Sequence, residues 1–118
     1  MALFTNLLIG LIALLHVYFL VLEMFLWDKP IGRRVFRLTA EFATASKALA
    51  ANQGLYNGFL AAGLAWGLTL GDAGVHIKLF FCGCVLLAGI FGALTVSRRI
   101  FYIQGVPALA ALVLLLLR

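Results

Sequence analysis

Charge is scarce in this chain. Nine lysines and arginines and four acids occur among 118 residues, 11% in all, against ~25% in an ordinary soluble domain. A soluble globule this short needs more polar surface than that to cover it. The shortage excludes a soluble enzyme, a nucleic-acid-binding domain and a disordered chain. Cysteine is limited to Cys82 and Cys84. Two apart on a helix, they point to nearly opposite sides, and an apolar run supplies no further partners for zinc or redox chemistry. Both read as small core residues. What the chain has in excess is apolar side chains, 65% of the total. One integral membrane domain over residues 1–118 is the class that remains.

Four apolar stretches are long enough to cross a bilayer core, which needs ~20 helical residues. The spacing predicts helices over 2–27, 40–70, 76–97 and 100–117. The first lacks a basic start and a small-residue cleavage site and carries Glu23, so it reads as a span and not as a signal peptide. Pro30 and Gly32 stop the first helix. Thr39 is placed to cap the second, with Glu41 in its first turn. Gly71-Asp72-Ala73-Gly74 makes the next turn. Gly105 and Pro107 fall at the entry to the last span, where proline lacks no needed donor.

Lys29, Arg33, Arg34, Arg37 and Lys47 crowd the segment 28–47, and Arg98 and Arg99 follow the third span. The other side holds only Lys78 and Arg118. An excess of Lys and Arg in short loops marks the cytoplasmic side. The expectation is a multi-pass protein of the cell membrane, with loops 28–47 and 97–99 in the cytoplasm and both termini outside. The net charge of +5 is then explained without nucleic acid, and the basic loops can meet anionic lipid.

Polar side chains within the spans each ask for a reason. Glu23 is either a half-hydrated residue near the inner interface or a buried, paired carboxylate. His16, seven residues earlier on the same face, is either a packing residue or a base. The second helix carries Asn52, Gln53, Tyr56 and Asn57 as one polar stripe, either interhelical glue or a binding surface. Gly54-x-x-x-Gly58 and Gly63-x-x-x-Gly67 allow close helix contact. Counting inward from Trp27 and Lys47 sets Glu23 level with Asn52 and Gln53, and His16 level with Tyr56 and Asn57. Arg98, Arg99, Tyr102 and Gln104 flank the same side. Together these residues predict a polar pocket in the inner leaflet for an amphipathic or lipophilic small molecule. In it Asn52, Gln53 and Asn57 orient a head group, and Glu23, Tyr56 or His16 moves a proton. A small transporter or an accessory membrane subunit is the alternative. The outer half holds only Thr5, Asn6 and Thr69, which favours a blind pocket over a channel.

The runs Glu23-Met24-Phe25-Leu26-Trp27, then 49–58 (L-A-A-N-Q-G-L-Y-N-G), then 102–109 (Y-I-Q-G-V-P-A-L) resemble the small bacterial membrane family DUF1304, which brings no assigned activity. More distantly, the basic loop, the Asn-bearing second helix and the G-V-P-A-L entry to the fourth resemble the membrane-associated eicosanoid and glutathione metabolism (MAPEG) proteins. That resemblance implies an all-α bundle of four transmembrane helices, a homo-oligomer with a trimer favoured, and glutathione as a possible cofactor, with Asn52 in the place of that family's second-helix Asn. Leu55 and Ala110 stand where that family carries glutathione-holding charges.

Overall fold

The structure, a computed structural model, describes residues 2–117. Its regular elements are helical: α1 (Ala2–Met24), α2 (Pro30–Phe36), α3 (Ala40–Thr69), a 3₁₀ turn (Gly71–Gly74), α4 (Val75–Thr95), a single turn α5 (Arg98–Ile100), a π-helical segment (Phe101–Gly105) and α6 (Val106–Leu117). Three stretches are long and apolar enough to cross a membrane: Ala2–Met24, Gly71–Thr95 and Arg98–Leu117. At 30 residues α3 has the length, but its polar stripe keeps it out of that apolar set.

Two compact units divide the chain, one formed by Met1–Leu14 with Leu60–Arg118 and one by Leu15–Phe59. The first owns the main core. Ile9 and Ile12 of α1, Leu64 of α3, Cys82 and Val85 of α4, and Ala108, Ala111 and Leu115 of α6 bury almost completely. Their spacings of three and four residues place them on single helix faces. Two of the three core side chains of α6 are alanines, and α4 approaches closely just before it. A Cβ added at Gly89 of α4 would lie 2.7 Å from the backbone nitrogen of Gly105, a separation only glycine tolerates.

The entry to the last helix differs from the sequence expectation. Pro107 is not at a helix start, because helical backbone already runs from Arg98. Ser97 caps that start, its hydroxyl accepting from the backbone N–H of Arg99 at 3.2 Å. Pro107 therefore sits in helix interior, where its missing N–H and its ring disrupt the ordinary ladder. The chain widens into a π turn just before it, and the N–H of Val106 donates to the carbonyl of Phe101, five residues back. A local π bulge is a known accommodation of such a break.

The second unit holds the end of α1, the linker, α2 and the first two-thirds of α3. As expected, Thr39 caps α3: its hydroxyl accepts from the N–H of Phe42 at 3.1 Å. The basic segment, expected as loop, contains a helix. Pro30 opens α2 at its first turn, and Arg37 closes it in the left-handed region at φ 57°. Helix α1 ends at Met24, not at Trp27. The Trp27 indole donates to Ser46 Oγ at 3.0 Å and its ring lies 4.9 Å from that of Phe36. Asp28 pairs with Lys47 at 3.2 Å. These contacts fasten the linker to α2 and to α3.

Candidate functional site

Glu23 lies on the last turn of α1, and Asn57 lies on α3. The Asn57 amide donates to Glu23 Oε1 at 2.5 Å. The approach depends on Gly54, one turn before Asn57. A Cβ there would come within 2.6 Å of Met24 Cγ and 3.1 Å of Glu23 Cβ. A side chain at 54 would push the carboxylate away from its amide. Asn57 is buried at 6% exposure, so its amide needs this partner; a buried polar group left unpaired costs about 1–3 kcal/mol. Glu23 is half-buried, and a carboxylate has lone pairs to spare for a second donor.

The remaining expected residues divide by place. His16 is completely buried and meets Phe19 edge-on at 5.7 Å, the setting of a packed ring. Asn52 donates to the Tyr56 hydroxyl at 3.1 Å on an exposed face of α3. Gln53 is exposed beside them. Arg98, Arg99 and Tyr102 are exposed and Gln104 is half-buried; all four belong to the other compact unit. Among the described residues no group of three or more His, Cys, Asp or Glu gathers as a metal site.

The expected level of these residues is corrected. Glu23 meets Asn57, about one helical turn beyond Asn52 and Gln53, and Leu20, not His16, stands against Gly58. The count was anchored on Trp27 and Lys47, which reach their partners through the far ends of long side chains. Backbone register cannot be read from such contacts. In consequence α1 finishes opposite Gly54 and Asn57, while α3 runs on past that end for its first three or four turns.

Sequence reasoning counted Lys78 only as outer-side charge. In the structure it is buried at 5% exposure. Its ammonium donates to Asn6 Oδ1 at 3.1 Å and to the Gly71 carbonyl at 3.2 Å. The available signal was its position, one turn into an apolar helix just after a glycine-bounded turn.

Comparison with known proteins gives a consistent result. Residues 10–116 match DUF1304, described as a protein of unknown function. The chain is 31% identical over 115 residues to the uncharacterized protein YpaA of Lactococcus lactis subsp. lactis, covering 96% of this chain and 97% of that one. No solved structure matches it.

Proposed function

The chain belongs to the DUF1304 family, and from that premise we propose that it is a multi-pass membrane protein that binds an amphipathic small molecule where α1 ends against α3. The observation that carries this reading is the Glu23–Asn57 hydrogen bond, continued along α3 by the exposed residues Gln53, Asn52 and Tyr56. In this reading α3, ~45 Å long by its helical rise, is the fourth crossing. Both termini are outside, and loops 28–47 and 97–99 are cytoplasmic.

The end of α1 then marks the inner edge of the hydrocarbon. Glu23 and Asn57 sit at that edge, and Asn52 and Gln53 sit at headgroup level. A ligand lying there keeps its apolar part in the bilayer and offers a hydrogen-bonding head to the carboxylate and amides. The exposed amide and phenol face of α3 also suits a second copy of the chain, because amides both donate and accept. A homo-oligomer, with a trimer favoured by the MAPEG resemblance, would cover it. Glutathione is the ligand that resemblance implies, but the apolar Leu55 and Ala110 favour a head without its several charges. The transporter reading requires a polar lining continued along the whole path.

Monoolein, with a neutral hydrogen-bonding head, is the test probe. Native mass spectrometry of the protein released from mild detergent should show monoolein retained by the wild type and lost from Asn57→Leu. Equal retention by the two would overturn the site.

A further inference from the structure

A cleft of about 40 Å³ opens in the first compact unit where the start of α1, the 3₁₀ turn, the start of α4 and the end of α6 meet. Its polar lining is Thr5, Asn6, Asp72 and Lys78, and Leu114 and Leu115 of α6 form apolar wall. Lys78 reaches it along an unusual route. Its stem crosses α3 at Gly67, where an added Cβ would lie 2.9 Å from Lys78 Cγ. Glycine at 67 leaves the channel through which the ammonium is delivered. The head is then held by two neutral oxygens, the Asn6 side chain and the Gly71 carbonyl. A lysine in a helix this apolar ordinarily extends to water. This one is fixed by two hydrogen bonds and is 5% exposed.

The cleft holds both signs of charge. Lys78 forms its floor and the exposed Asp72 its rim. Close to its lining residues in the chain stand exposed apolar ones: Leu3 at 73%, Leu7 at 59%, Leu116 at 71% and Leu117 at 74% exposure. A free anion would gain from Lys78 and be opposed by Asp72. A headgroup carrying a phosphate and an amine satisfies both, with acyl chains on the exposed leucines. We propose that this cleft binds the headgroup of an aminophospholipid, with the phosphodiester on Lys78, Asn6 and Thr5 and the primary amine on Asp72. The cleft belongs to the first compact unit and the Glu23–Asn57 pair to the second, and the proposal does not depend on that pair.

The test is lipid retention by native mass spectrometry after incubation with phosphatidylethanolamine, phosphatidylglycerol or phosphatidylcholine, with inorganic phosphate as a competitor. The wild type should retain phosphatidylethanolamine about tenfold over phosphatidylcholine, the worth of one charge-assisted hydrogen bond. Lys78→Met, which keeps the stem, should lower the retention of all three lipids, since each carries the phosphodiester. Asp72→Asn, at an exposed position, should turn the preference towards phosphatidylglycerol and does not rely on Lys78→Met folding. Unchanged selectivity in Asp72→Asn, or undiminished lipid retention by a folded Lys78→Met, would overturn the proposal. Displacement of the lipid by millimolar phosphate would overturn it also, since the anion alone would then be the ligand.

Discussion

Removing the Glu23 charge and removing its hydrogen bond are different perturbations. Glu23→Gln keeps an oxygen that can accept from Asn57, and its midpoint of thermal unfolding in detergent should stay close to wild type. Glu23→Leu leaves the buried Asn57 amide unpaired and should lower stability by about 1–3 kcal/mol. Equal midpoints for the two variants would show that Asn57 needs no partner from α1. Asp28 gives a prediction of opposite character, in pH. The hydrogen bond from the Lys47 ammonium, helped by the charges of Lys47 and Lys29, holds its carboxyl below the usual range. Its contribution is therefore present above the unfolded value of about 3.9 and is lost as pH falls through the lower folded value. Acid unfolding followed by fluorescence should begin at higher pH in Lys47→Met, which removes the partner, than in wild type. That carboxylate and amides would meet was legible from their types and spacing. Which amide Glu23 would choose was not, because that depends on where α1 ends, a matter of one turn.

At the scale of elements, the ends of α2 and α3 carry the clearest local signals. Thr39→Ala should cost about 1 kcal/mol by removing the cap on the Phe42 N–H. Arg37→Gly should gain about 1 kcal/mol, since an L-residue in the left-handed region is strained and glycine is not. Denaturant titration in mixed micelles can read both. The Thr39 cap could be read from sequence because capping is a local hydrogen bond between neighbours. Helix α2 could not, since Pro30 both stops one helix and starts another, and only the following contacts of Trp27 with Phe36 and Ser46 decide between them. The π segment was hidden for the same reason. Pro107 announces a break, but the widened turn that absorbs it lies where the backbone of Gly105 comes close to Gly89, a contact distant in sequence.

Composition decided most at the scale of the whole molecule. Low charge and long apolar runs pointed to helices in a bilayer, and three helices have the length and apolarity to cross. The fourth is harder to read because α3 mixes a polar stripe with small residues. Terminal reporter fusions should place both ends outside. A cytoplasmic C-terminus would mean an odd number of crossings or an inverted chain. Mass measurement in mild detergent and in nanodiscs should give a multiple of the 12.8 kDa chain. A single-chain mass in both would leave the exposed amides of α3 to lipid and water, against the proposed assembly.

The widened turn at Phe101–Gly105 also acts as a phase setting. Each residue of an α-helix advances the face by about 100°, and the π turn inserts an extra residue's worth of chain between the basic turn and α6. With that insertion, Ala108, Ala111 and Leu115 point into the core while Leu109, Val113 and Leu116 stay outside. Deleting one residue from the segment would straighten the helix and turn everything after it by a quarter-revolution or more. The bulkier outer set would then swing towards a seam built for alanine. A point deletion here should therefore disrupt packing more than an alanine substitution at any of the five positions except Gly105.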